Sequence, residues 1–75
     1  MFKVYTQNNC PNCEEIKKFL SLNGISYEEV DVNEDTKARA FMIMNDLETT
    51  PAIKTDNDII CGNIDFMKGK ISSLL

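Results

Sequence analysis

Val4-Tyr5-Thr6-Gln7-Asn8-Asn9-Cys10-Pro11-Asn12-Cys13 decides how this chain is read: an alternating segment runs into a polar loop, and the loop ends in a paired-thiol motif at the start of a helix. Phe2-Lys3-Val4-Tyr5 alternates apolar and polar residues, the pattern of a short strand. From Cys13 to about Leu22 the apolar residues Ile16, Phe19 and Leu20 fall at helical spacing, with Glu14, Glu15, Lys17 and Lys18 between them. Pro11 suits the first helical turn, where its missing N–H costs nothing. Asn23-Gly24 is a stop signal, because Gly accepts the left-handed conformation. Two cysteines with two residues between them can close into a small disulfide ring and reopen. A thiol at a helix start also ionises more readily, because the unpaired N–H groups there favour the thiolate. The thiolate is the species that attacks disulfides, so this placement points to thiol–disulfide exchange.

Working outward, Ile25 to Val32 predicts a second strand, carried by Tyr27, Val30 and Val32. Asn33-Glu34-Asp35-Thr36 has the polar, acidic character of a helix start. A helix is predicted over Lys37 to Asn45, with Ala38, Phe41, Met42 and Asn45 on one face; Thr49-Thr50-Pro51 breaks it. Ala52-Ile53-Lys54-Thr55 and Asp58-Ile59-Ile60-Cys61 flank Asp56-Asn57 and predict a β-hairpin. Ile64, Met67, Ile71 and Leu74 have the spacing of a final amphipathic helix. The order is β-α-β-α-β-β-α. Its first βαβ unit should be parallel with a right-handed crossover, and its last two strands antiparallel. The expected architecture is α/β, a four-stranded mixed sheet flanked by helices, in a single domain over residues 1–75.

The 75 residues are 43% hydrophobic and 27% charged, the balance of a soluble globular chain with a small core. The formal net charge of −4 and the scattered basic residues argue against nucleic-acid and anionic-membrane partners. The one basic pair, Lys17-Lys18, reads as a solvated helix face. No apolar run is long enough to span a membrane. The first residues read as a strand rather than as a signal peptide, which leads to an expected cytoplasmic location. In that compartment a CxxC is catalytic or metal-binding more often than structural. Three cysteines leave Cys61 without a sequence partner, and the absence of histidine removes the commonest general base and nitrogen ligand.

The chain resembles the glutaredoxins, small members of the thioredoxin-like group. Three features carry the resemblance, in order and over essentially the whole chain: the strand-loop-CxxC-helix start, Thr49-Thr50-Pro51 before the third strand, and Cys61-Gly62-Asn63-Ile64-Asp65 after the fourth. The second is similar to the family's Thr-Val-Pro segment with its cis proline. The third is similar to a degraded Gly-Gly-x-Asp-Asp turn. The resemblance implies a thiol–disulfide oxidoreductase acting on protein disulfides or glutathione mixed disulfides. Cys10 is then the exposed nucleophile and Cys13 the more buried resolving thiol. Pro11 stiffens the ring, and Thr50 beside a cis Pro51 offers its backbone to an extended substrate. No bound cofactor is implied, and glutathione or thioredoxin reductase would be the reductant. The expected protein is a monomer whose partners are disulfide-containing proteins. The cis assignment of Pro51 rests on the resemblance; on residues alone it reads as a trans helix-breaker before a strand.

The departures all fall on glutathione recognition. Gln7 stands where the family carries Lys or Arg, so a charge-assisted contact to a glutathione carboxylate is missing. Asn12 stands where an aromatic residue forms a groove wall. Cys61 replaces the first glycine of the turn and Ile64 its first aspartate. Gly62, Asn63 and Ile64 keep backbone groups for the γ-glutamyl end, and Asp65 is a helix-start carboxylate. Some small family members are reduced by thioredoxin reductase and feed ribonucleotide reductase. This chain has their size but lacks their aromatic, Arg-Pro-containing C-terminal signature.

Other readings stay open. The CxxC is also half a zinc site, but zinc wants four ligands, and only Cys61 remains. An iron–sulfur cluster bridged through glutathione is a further alternative. Cys61 is a small buried hydrophobe at a strand end, a third redox thiol beside the groove, or an oxidation liability; the burial habit of free Cys favours the first. Met42, Met44 and Met67 are expected in the core, and Phe41 with Met42 on a buried helix face. Glu28, Glu29, Asp31, Glu34 and Asp35 read as a solvated acidic surface that could help choose a basic partner. Tyr5 either touches substrate or packs on the first helix.

Overall fold

The alternation of Val4 and Tyr5 fixes the layering of the molecule, because successive strand residues face opposite sides of a sheet. The computed structural model describes residues 2–74. In chain order the elements are β1 (Phe2–Thr6), α1 (Pro11–Leu22), β2 (Tyr27–Asp31), α2 (Thr36–Met44), β3 (Ala52–Lys54), β4 (Ile59–Ile60) and α3 (Ile64–Ser73). This is the predicted order. The sheet runs β2-β1-β3-β4. β1 pairs with β2 in parallel, setting Val4 opposite Glu29 and Thr6 opposite Asp31. The pairs β1–β3 and β3–β4 are antiparallel, with Ile53 between Val4 and Ile60.

Each face has its own core. Val4, Ile53 and Ile60 point to the side covered by α1 and α3, where they meet Ile16, Leu20, Met67 and Ile71. Tyr5 and Ala52 point to the other side and meet Ala38 and Met42 of α2. Tyr5 therefore does not pack on the first helix. It stacks on Phe41 of α2, with ring centroids 4.8 Å apart and planes 15° from parallel. The reason is the period of two: Val4 takes the α1 side, so Tyr5 takes the opposite one.

Met44 departs from its expected place in the core, and Asn45 and Leu74, read as helix-face residues, lie at helix ends. Met44 is 82% exposed, because two residues past buried Met42 is about 200° around the helix. Asn45 is exposed and caps α2, its side-chain amide donating to the Phe41 carbonyl at 2.8 Å. Leu74 lies at the C-cap of α3 and is 46% exposed. The hairpin strands are also shorter than predicted. The Thr55 hydroxyl accepts from the Asn57 and Asp58 N–H groups, which ends β3 in a side-chain-stabilised turn.

Candidate active site

Cys10 sits at the N-cap of α1, in extended backbone (φ −117°, ψ 94°), directly before Pro11 at the first helical position. The Cys13 N–H, in the first turn of the helix, is shared between the Cys10 carbonyl and Cys10 Sγ, each at 3.1 Å. Cys10 is half-buried, whereas Cys13, one turn in, is 2% exposed. The two are joined as a disulfide, with Cα atoms 5.2 Å apart. Pro11 and Asn12 are exposed on the outer side of this ring.

A second segment reaches the ring from the loop before β3. The Thr50–Pro51 peptide is cis, and Pro51 is buried. The Thr50 hydroxyl donates to Cys10 Sγ at 3.4 Å. The Thr50 carbonyl oxygen lies 3.7 Å from the same sulfur. A disulfide sulfur has no proton to give, so that approach becomes a hydrogen bond only when Cys10 is a thiol. The resemblance implies only a backbone role for Thr50, so the contact of its side chain with the sulfur is new.

A cleft of about 340 Å³ opens on the other side of the ring, between Gln7–Asn9, α1 and β2. It contains a charged cluster that the sequence reading missed. The Lys17 ammonium pairs with Glu14 at 2.7 Å and with Glu29 at 3.0 Å. The buried Thr6 hydroxyl donates to the same Glu29 oxygen at 3.0 Å. Lys17 is thus a cross-element clamp rather than a solvated helix residue. Glu14, then Glu29, hold its ammonium charged above the ordinary lysine pKa. The Lys17 hydrogen bond, assisted by Thr6, holds the Glu29 carboxyl below its ordinary range against a smaller effect of burial. The signal was present: Cys13 and Lys17 are four apart on one helix face, and Thr6 and Glu29 share the sheet face turned to α1.

The glycine turn is placed differently from the thiols' own cleft. Gly62 (φ 115°) borders a separate cleft of about 240 Å³ with Asp46, Leu47, Glu48, Thr49 and Cys61. Asn63 is the N-cap of α3 and accepts from the Phe66 N–H at 2.7 Å; Asp65 lies in the first helical turn. Ile64 is half-buried against the α1–α3 core. Cys61 is half-buried rather than buried, packed beside the Tyr5–Met42 core. The larger acidic cleft, about 500 Å³ between β2 and the start of α2, contains no cysteine. Much of the acidic run is already employed: Asp31 accepts from Asn33 and Asp35 caps α2. Among the described residues no three His, Cys, Asp or Glu side chains converge to hold a metal ion.

A closed CxxC disulfide at a helix start, facing a cis proline on a four-stranded mixed sheet, is a recognisable arrangement. Residues 2–60 match the Glutaredoxin family model. The chain belongs to the glutaredoxin family. Like other members it is a thiol–disulfide oxidoreductase. It is 33% identical to a glutaredoxin-like 8.6 kDa protein of a rubredoxin operon in Clostridium pasteurianum, over 100% of this chain and 97% of that one. It is 31% identical to the glutaredoxin-like protein NrdH of Lactococcus lactis subsp. lactis (strain IL1403), over 83% of this chain and 86% of the relative. The crystal structure of the thioredoxin-like protein BC3987 superposes with a TM-score of 0.86 at 37% identity, covering all of both chains. This glutaredoxin therefore has the thioredoxin-like fold. Among its described residues no helix is long and apolar enough to cross a membrane.

Proposed function

We propose that Cys10 is the attacking thiolate and Cys13 the resolving thiol of a dithiol cycle that reduces protein disulfides. The observation that carries this is the asymmetry of the pair: Cys10 half-buried at the helix N-cap with two donors on its sulfur, Cys13 buried behind it. The Cys10 thiolate attacks one sulfur of a substrate disulfide. A mixed disulfide forms, and the other substrate sulfur leaves as a thiolate and takes up a proton. Cys13, deprotonated, then attacks Cys10. The Cys10–Cys13 disulfide forms and the second substrate thiol departs. Two electrons have passed from the dithiol to the substrate. The cycle uses no bound cofactor, metal, nucleic acid or second copy, and it suits the reducing cytoplasm.

A second reading concerns the electron source and is favoured by charge. Glutathione carries carboxylates, yet position 7 is an uncharged Gln, and the one lysine of the thiol cleft is already clamped by two glutamates. Glu14, Glu29 and Asp31 leave that cleft net acidic. We infer that a reductase of the thioredoxin-reductase type serves this protein better than glutathione does.

Cys10→Ser should abolish turnover of a disulfide substrate, and Cys13→Ser should accumulate a mixed disulfide visible by mass spectrometry. Turnover retained by Cys10→Ser would falsify the assignment. NADPH consumption separates the reductants. Loss only with thioredoxin reductase supports the second reading, and fast loss with glutathione plus glutathione reductase overturns it.

A further inference from the structure

We propose that the Thr50 hydroxyl is a catalytic group that stabilises the Cys10 thiolate, supplying by hydrogen bonding part of what a cation in place of Gln7 would supply by charge. The inference rests on Cys10 being the attacking thiol.

The geometry is already in place in the oxidised protein. Thr50 Oγ1 lies 3.4 Å from Cys10 Sγ, which is its one hydrogen-bond partner among the described residues. The side chain is β-branched and therefore stiff about its first torsion, and its backbone runs into buried Pro51. Little freedom is lost in holding the hydroxyl on the sulfur.

Thr50 presents different groups to the two protonation states of Cys10. The protonated thiol can donate to the Thr50 carbonyl, 3.7 Å away. The thiolate has no proton to give, and accepts from the Thr50 hydroxyl and from the Cys13 N–H. A hydrogen bond to an ionised acceptor is roughly twice as strong as one between neutral groups. The two donors therefore tip the balance toward the thiolate.

Charge alone tips it the other way. The cleft beside the ring presents Glu14 and Lys17 from α1 and Glu29 and Asp31 from β2, with Lys17 spent on the two glutamates. The separate cleft bordered by Thr49 has Asp46 and Glu48 in its lining and contains neither thiol of the ring. Surplus carboxylates oppose a second anion nearby. Against that field the two neutral donors on the sulfur favour the thiolate. Stabilising the thiolate also favours the dithiol over the disulfide, because only the reduced protein contains it.

The test is Thr50→Val, which keeps the shape and removes the hydroxyl, with Thr50→Ser as the rescue. Alkylation of the reduced protein by iodoacetamide is followed against pH, and the disulfide–dithiol equilibrium is set against dithiothreitol. In that exchange the reference S–S bond breaks and the Cys10–Cys13 bond forms, with two electrons and two protons passing to the reference. Thr50→Val should raise the Cys10 pKa by about half to one unit and slow alkylation below that pKa about three- to tenfold. At a pH above both Cys10 pKa values the equilibrium should move about three- to tenfold toward the protein disulfide, making the protein about 15 to 30 mV more reducing. Thr50→Ser should recover both values. A parental pH profile and equilibrium in Thr50→Val overturns the proposal. So does a Thr50→Ser protein displaced as far as Thr50→Val, since shape rather than the hydroxyl would then be responsible. Should Thr50→Val not fold, Thr50→Ser against Thr50→Ala carries the same contrast. Unshifted Thr50→Val beside inactive Cys10→Ser sinks this inference alone, whereas active Cys10→Ser sinks the reading beneath it.

Discussion

Glu29 is held ionised to lower pH by two neighbours on two different elements, Lys17 of α1 and Thr6 of β1. Its folded pKa lies below its ordinary value, so it contributes stability above the unfolded-state pKa and loses it as pH falls through the folded one. Its side chain is 46% exposed, so solvent screening limits the contribution to about 0.5–1 kcal/mol. Urea unfolding from pH 7 down to pH 3 should show this acid-limb loss in the parent and a flatter limb in Glu29→Gln. In sequence Glu29 is one of five carboxylates in a short acidic run, and nothing local separates it from Glu28. Strand register does: Glu29 faces α1 and finds a lysine, while Glu28 faces the α2 side. The two cysteines were legible because their chemistry depends on a four-residue spacing and a helix start. The Thr50 hydroxyl was not, because its contact joins residues 40 apart.

At the scale of elements, helix caps carry measurable energy. Asp35 Oδ1 accepts from the Lys37 and Ala38 N–H groups at 2.9 and 3.1 Å, which starts α2 one residue before the predicted Lys37. Asp35→Ala should cost about 1 kcal/mol in equilibrium unfolding, and Asp35→Asn should recover most of it. All seven elements could be read from periodicity and breakers, but ends and faces were less certain. The Met44 error arose because α2 has only nine residues, too few for a narrow apolar stripe to stand out from its neighbours. The hairpin strands were overextended because Thr55 looks like a strand residue, and its hydroxyl's turn-forming role depends on the backbone following it.

For the whole molecule, the two sheet faces are unequal. Seven buried residues fill the α1–α3 side and four the α2 side. Ile53 is fully buried at the centre of the larger core, between Val4 and Ile60 in the sheet. Ile53→Ala should cost about 2–5 kcal/mol by thermal or urea unfolding, a large share of the roughly 5–15 kcal/mol typical of a domain. The layered plan was legible because the order of elements constrains it. How the burial divides between layers was not, since it depends on which way each strand residue points. Among the described residues, the same plan leaves β2 at the margin of the sheet with no strand on its outer side. A bare margin is where one copy can extend the sheet of another and begin an aggregate. Glu28, Glu29 and Asp31 lie along those five residues, and although Lys17 offsets the charge of Glu29, a second copy approaching edge to edge still meets like charge. Glu29 and Asp31 also line the thiol cleft, so one acidic stretch both borders the thiols and guards a sheet margin against pairing with a second copy.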